Sequence, residues 1–379
     1  MSFNIASIDL GNSVVQFKIN GRKGDMPNTL ALCTEDKVTY YDSSEKDIKE
    51  SLIVKIDSKS IKNKGEKHYI GISATDKENN SETEKNNKKA SQDRSIYMAL
   101  TPLALDAVQN NTDKNKMDLE IEILTTALPT KQVLADREVL KEKLIGHHTV
   151  TLCDVPGRGD VTVNIHIKDC LVAVESMTAF LALSRDQDTL QVKDESLFKE
   201  TILIEDLGGG SLDPAGFENG KIIDGIKGKV FGINSYLDDI ISEVEDETGY
   251  LFPSRYSLEQ LLIQGKSNWS ILVDQQDENI SEIISKHFKK MANKYIDEIS
   301  NDLKRYPKLQ NTRRIYPIGG PIKVAKEYIE EENNKRDKPL KFTFAEDINE
   351  LNLIGLWILA QMAKKKIEGS KEVAASKEE

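Results

Sequence analysis

Cysteine is scarce in this chain. Cys33, Cys153 and Cys170 are odd in number, far apart in the 379 residues, and show no metal-ligand spacing, which excludes a disulfide framework and a thiolate metal site. Cys33 and Cys170 lie in apolar surroundings and are expected to be buried thiols, as in a reducing cytoplasm. Histidine is also sparse. The five histidines include the pair His147-His148, but no Cys/His cluster forms, so no structural metal is expected. The pair reads as a solvated turn after Gly146. Long hydrophobic runs are absent. The longest, Leu351 to Ala363, falls short of the roughly 20 residues a membrane span needs. It reads as a buried helix, although the basic Lys364-Lys365-Lys366 beyond it leaves a membrane-surface helix as a lesser alternative. The N-terminus has no basic region and its apolar run breaks at Asp9, so no signal peptide is expected. Positive charge is in deficit. Fifty-two basic residues against 63 acidic ones give a formal net charge of −11, which excludes a broad non-specific nucleic-acid face. Direct DNA binding is therefore not expected, and any link to DNA would need an adaptor.

What the chain does have is a repeat. Ile5 to Gly21 reads as an apolar strand, Asp9-Leu10-Gly11-Asn12-Ser13, a second strand, then Asn20-Gly21. Two hundred residues later, Ile202 to Gly220 repeats the order: a strand, Asp206-Leu207-Gly208-Gly209-Gly210-Ser211, a second strand, then Asn219-Gly220. Asn-Gly after a strand signals a tight hairpin, because both turn positions need positive φ. The Gly-rich first turn lets backbone N–H groups approach an anion. The preceding Asp suits Mg²⁺ held through water, since Mg²⁺ sheds its water reluctantly. Either turn alone is also what an ordinary glycine loop looks like. The repetition, with Asp on the same side of the glycines, points to two phosphate-binding hairpins, one per domain.

The rest of the chain fits two α/β domains. Short β-like runs from Leu30 to Ile70 suggest a small β-rich subdomain over about 30–95. The polar stretch Asp76–Arg94 reads as a mobile exposed loop. A helix with Tyr97, Leu100, Leu103, Ala104 and Ala107 on one face follows, then a strand over 119–126 and a helix over 134–144. Residues 160–167 alternate as a strand should. Cys170–Val174 is another strand, and Glu175-Ser176 opens the helix after it. Beyond the second hairpin, Gly232-Ile233-Asn234 leads into a helix, 257–265 is a short helix, and 281–306 is a long one with an apolar stripe. Arg314 to Ile318 forms a strand ending in Gly319-Gly320 before a helix over 323–332. The last helix spans 347–366, and 369–379 is expected to be disordered.

The order phosphate hairpin, strand–Glu–helix, second phosphate hairpin, strand–Gly-Gly–helix resembles the actin/Hsp70/sugar-kinase ATPase superfamily over nearly the whole chain. The resemblance implies an α/β actin-like ATPase fold with two RNase H-like domains around a nucleotide cleft. It implies domain I over 1–174, joined by the C-terminal helix 347–368, and domain II over 175–346. By the same resemblance, Asp9, Gly11, Asn12 and Ser13 form the first phosphate loop. Asp206, Gly208, Gly209, Gly210 and Ser211 form the second. Ile318, Gly319 and Gly320 form the adenosine motif. Asp9 and Asp206 hold Mg²⁺ through water, and Glu175 and Asp206 are catalytic, with Glu175 orienting or deprotonating the attacking water. An acid at a helix N-terminus is also favoured by the macrodipole alone. Pro214 and Pro317 depart from the pattern, because each removes a ladder donor from a strand.

Within the superfamily, the absence of a large peptide-binding domain and the Glu at 175 are most similar to plasmid-segregation actins of the ParM type. That implies an ATPase that polymerises head to tail with ATP and Mg²⁺, with GTP left open. It also implies that filaments move plasmid DNA through an adaptor of the ParR type. A small-molecule kinase or a chaperone-like ATPase on the same fold is the alternative.

Overall fold

Asn20 and Gly21 both take positive φ, 48° and 88°, and Asn219 and Gly220 repeat this at 53° and 74°. These are the mirror-image turns that match strand twist, and they organise one sheet in each half of the chain. The computed structural model describes residues 3–34, 47–75, 77, 80–81 and 88–375. The chain divides into two units, Met1–Gln191 with Asn352–Glu379, and Val192–Leu351.

The strands of unit 1 are β1 (Ile5–Leu10), β2 (Val14–Ile19), β3 (Arg22–Pro27), β4 (Leu30–Leu32), β5 (Ile53–Ser58), β6 (Lys67–Ile70), β7 (Asn80–Ser81), β8 (Lys116–Ile121), β9 (Ile123–Leu128), β10 (Gly146–Val155), β11 (Gly159–Ile167) and β12 (Cys170–Val174). Its helices are α1 (Ile72–Thr75), α2 (Asp93–Gln109), α3 (Thr130–Leu144) and α4 (Glu175–Ser184). A five-stranded sheet runs β12-β9-β1-β2-β3, with β12, β9 and β1 parallel. A seven-stranded sheet runs β7-β4-β6-β5-β10-β11-β8. Helix α2 packs on strands of both sheets and is buried almost all round. Such a helix needs apolar residues on every face, which Ile96, Met98, Leu100, Leu103 and Leu105 supply.

Unit 2 holds β13 (Thr201–Leu207), β14 (Leu212–Glu218), β15 (Lys221–Ile222), β16 (Ser270–Val273), β17 (Gln276–Asn279) and β18 (Arg314–Ile318). Its helices are α5 (Asn234–Thr248), α6 (Arg255–Ile263), α7 (Ser281–Arg305) and α8 (Gly320–Asn334). The sheet order is β15-β14-β13-β18, with β13 and β18 parallel, and β16–β17 is a separate hairpin. The apolar stripe of α7 (Ile284, Phe288, Met291, Tyr295, Ile299) is fully buried in this unit's core. The final helix, α9 (Leu351–Ala375), returns to unit 1. Leu356 carbonyl accepts from Thr125 Oγ1 at 3.0 Å, and Gly355 lies so close to α4 that a Cβ there would sit 1.8 Å from the Thr178 carbonyl oxygen.

Several expectations change. His147-His148 is not a turn: both lie in β10, and His148 is 2% exposed, bonded to Ser58 Oγ at 2.7 Å and Leu144 carbonyl at 2.9 Å. The expected strand 119–126 is two strands in two sheets, broken at Glu122, whose N–H bonds Asn4 instead. The β-rich part draws in β8, β10 and β11 and so extends past residue 95 to Ile167. Of the expected loop 76–94, residues 76, 78–79 and 82–87 lie outside the described residues, but Asn80–Ser81 form β7, 89–91 is a 3-10 turn and 93–94 begin α2. Helix α9 continues to Ala375, so only 376–379 of the expected tail lie outside the described residues. The division between units falls at Gln191/Val192, because α4 packs on β12 and β9 of unit 1. Pro214 and Pro317 leave the pairing of β13 unbroken on both sides. β18 is a sheet edge and β15 covers only Phe217 and Glu218 of β14, so neither proline must donate to a central ladder. Among the described residues no helix is long and apolar enough to cross a membrane.

Candidate functional site

In unit 1 the carboxyl ends of the parallel strands β1 and β12 carry Asp9 and Glu175, the place where open α/β sheets bind ligands. Asp9 is half-buried at the end of an otherwise buried strand. Its pKa is pushed up to about 6, first by burial and then by the Glu175 carboxylate, with Lys89 pulling the other way. Glu175 is the first residue of α4 and ion-pairs with Lys89 at 2.7 Å, each side chain 12% exposed. The turn Gly11-Asn12-Ser13 links β1 to β2 and is braced by Asn28. Asn28 Nδ2 donates to Gly11 carbonyl at 2.6 Å, and its N–H donates to Ser13 carbonyl at 2.8 Å. Arg94 in turn fixes Asn28, donating to its Oδ1 at 2.9 Å and its carbonyl at 2.6 Å.

Unit 2 repeats the plan. Asp206 is half-buried at the same step of β13 as Asp9 in β1, two residues before the first Gly of its turn. The turn Gly208–Ser211 is one residue longer than Gly11–Ser13 and closes through Gly208 N–H to Ser211 carbonyl at 2.9 Å. It sits on the start of α5: Ile233 and Asn234 N–H groups donate to Gly208 and Gly209 carbonyls at 3.2 and 2.8 Å. Ile318 ends β18 directly beside Asp206. Gly319 has φ of 104° and Gly320 opens α8. The second turn and the strand–Gly-Gly–helix motif therefore share the carboxyl ends of two adjacent parallel strands, with the positive N-terminus of α8 beside them.

The glycines divide into two kinds. Gly11, Gly209 and Gly319 are demanded by the protein's own packing. A Cβ would sit 2.3 Å from Val14 carbonyl, 2.6 Å from Asn234 Oδ1 and 2.3 Å from Leu207 carbonyl, respectively. A Cβ on Gly320 would meet nothing within 4 Å. Gly320 has no packing reason to be glycine, so it leaves open space beside the turn. Asp9 in unit 1 and Asp206 in unit 2 are each a hard oxygen donor of the kind Mg²⁺ prefers, and each turn offers backbone N–H groups, so the residues of each unit, taken by itself, fit a metal–phosphate ligand.

Residues 201–347 match the family model described as the Alp7A C-terminal domain. Over its length the chain matches the crystal structure of actin-like protein Alp7A with a TM-score of 0.80 at 20% identity, covering 98% of this chain and 99% of that one. This is the actin-like ATPase fold. The chain also matches Bacillus thuringiensis ParM solved with ATP, with a TM-score of 0.66 at 19% identity over 96% and 100% of the two chains. Ta0583, an archaeal actin homolog, matches with a TM-score of 0.66 at 15% identity over 94% and 99%. No curated protein matches the chain by sequence.

The actin-like frame contains site residues that the sequence did not announce. Lys89 lay inside a polar stretch without any motif. Asn28 and Arg94 are 66 residues apart and carry no pattern. Gly232 was the one legible neighbour: it opens α5 at Gly232-Ile233-Asn234, and a Cβ there would sit 2.3 Å from Gly209 carbonyl. Glu205, beside Asp206, is fully buried with neither oxygen hydrogen-bonded among the described residues.

Proposed function

We propose that this chain is a nucleotide-dependent, filament-forming ATPase that segregates plasmid DNA through a ParR-type adaptor. The observation that carries the reading is the repeated Asp-Leu-Gly hairpin, with Asp9 and Asp206 at the same strand position in each unit of an actin-like fold. Its likeness in fold to Alp7A and to ParM solved with ATP and with AMPPNP supports a nucleotide as ligand. In this reading Gly11, Asn12 and Ser13 cradle phosphates from unit 1, and Gly208 to Ser211 do so from unit 2. Ile318, Gly319 and Gly320 flank the nucleoside. Asp9 and Asp206 would hold Mg²⁺ through water, and the ion would supply charge neutralisation to the phosphates. Glu175 takes a proton from, or orients, the attacking water. Subunits join head to tail, a heterologous contact that propagates instead of closing, in the cytoplasm.

Sedimentation tests the reading. The wild-type chain should pellet with ATP and Mg²⁺ and stay in solution without nucleotide. Glu175→Ala should still bind ATP and pellet, hydrolyse at least about 100-fold more slowly, and leave filaments that outlast the ATP supply. Gly320→Val is a better probe of the pocket than a change at Gly209, because it adds bulk to open space and leaves the turn's packing intact. It should fold normally and bind nucleotide more weakly. A wild-type chain that hydrolyses ATP but never pellets would favour a kinase or chaperone-like ATPase.

A further inference from the structure

The Lys89–Glu175 pair is the unassigned part of this site. It is sheltered, at 2.7 Å with both side chains 12% exposed, and it ties up the carboxylate on which hydrolysis is proposed to depend. A carboxylate oxygen held by an ammonium at this distance is engaged and not free to accept a hydrogen bond from water. The lysine is firmly delivered. Lys89 N–H donates to Gln132 Oε1 at 3.1 Å, and Ser95 Oγ donates to Lys89 carbonyl at 2.6 Å. Lys89 also lines a small hollow together with Asn12 of the first Gly turn, and its ammonium contacts Glu175.

We propose that Lys89 distinguishes a nucleoside triphosphate from a diphosphate by exchanging the Glu175 carboxylate for the terminal phosphate. The inference rests on the nucleotide reading of the site. A group one water away from Glu175 is within reach of an ammonium that already touches Glu175. A terminal phosphate carries more charge than a carboxylate and offers three oxygens, so it competes well for the lysine. The exchange releases Glu175 to act on water only when a terminal phosphate has arrived. A diphosphate has no group at that position and leaves the pair closed. Lys89 is thus a positioning residue for Glu175 and a ligand of the substrate.

Calorimetric binding of ADP and of AMPPNP to the full chain tests this, using wild type, Lys89→Met, Lys89→Arg and the double variant Lys89→Met with Glu175→Gln. Lys89→Met should lose roughly ten- to a hundredfold in AMPPNP affinity, the scale of one charged hydrogen bond, with ADP affinity unchanged. Lys89→Arg should restore most of the difference. The double variant should show the same selective loss, which separates it from any effect of leaving Glu175 buried without its lysine. Equal losses for both nucleotides, or no loss for AMPPNP, would overturn the role of Lys89 while leaving the nucleotide site standing. Failure of the wild-type chain to bind either nucleotide would overturn the site and the role together.

Discussion

Glu205 shows how far a single residue can depart from what its strand asks of it. In β13 it shares a face with Leu203 and Leu207, both in the core, and it is 0% exposed. Its strand neighbours on either side are Pro214 and Pro317. The nearby cation, Lys229, is committed to Asp302 at 2.6 Å and Glu298 at 3.1 Å. Burial, aided by the Asp302 charge and only partly offset by Lys229, raises the Glu205 pKa well above the usual carboxylate range. The folded chain therefore keeps a proton that the unfolded chain releases above about pH 4.3. The unfolded state binds fewer protons there, so this one group makes stability fall as pH rises. Glu205→Gln mimics the neutral acid and should remove that slope. Urea unfolding from pH 5 to 8 measures it: wild type should lose stability relative to Glu205→Gln as pH rises. Parallel curves for the two proteins would mean that Glu205 is ionised in the fold. Residues of this kind set the limit of sequence reading. The places of Asp9 and Asp206 near strand ends, just before glycine turns, were legible because the signal sits in the next few residues. Lys89 was not, because its partner Glu175 lies 86 residues away and is met only after folding.

At the scale of elements, legibility followed local chemistry. Both Asn-Gly turns and the strands they join were readable, since the dipeptide itself supplies the positive φ. The β16–β17 hairpin was missed because Asp274 and Gln275 take φ of 48° and 66° with no glycine to announce the turn. The break at Glu122 was missed because an apolar strand that changes sheets keeps the same alternation on both sides. The return of α9 to unit 1 makes a direct prediction. Gly355 has no room for a Cβ, the Thr178 carbonyl oxygen being 1.8 Å from where it would lie. Gly355→Ala should force α9 away from α4 and cost about 1–3 kcal/mol or more. Gly369→Ala, in the same helix but with nothing within 4 Å, should be neutral or stabilising by up to about 1 kcal/mol. Thermal melts of the two variants decide it. Should Gly355→Ala melt with wild type, α9 does not press on α4 as described.

For the whole molecule, the repeat announced two units, but not their boundary, which depends on where α4 packs. Net charge was fully legible and has the widest consequence. With 63 acidic and 52 basic residues the chain carries a formal charge of −11. Nucleic-acid affinity comes mainly from cations that displace the counterions of the phosphate backbone. A head-to-tail filament of such subunits would present the same negative excess at every repeat, and its field would oppose DNA more strongly than one subunit does. Screening shortens that repulsion to about 8 Å at physiological salt, so it weakens but does not reverse. Under the proposed function, attachment of DNA to a filament would therefore call for a separate basic protein, and an end of the filament, where a subunit face would be left unpaired, would be the natural place for it. Co-sedimentation and gel-shift of the purified chain with ATP, Mg²⁺ and plasmid DNA, without adaptor, should show filaments in the pellet and DNA in the supernatant at physiological salt. Lowering the salt should not rescue binding, because the long-range term is repulsive. Tight, sequence-selective retention of DNA by the chain alone would show that it reads DNA itself, and the adaptor would have no role to fill.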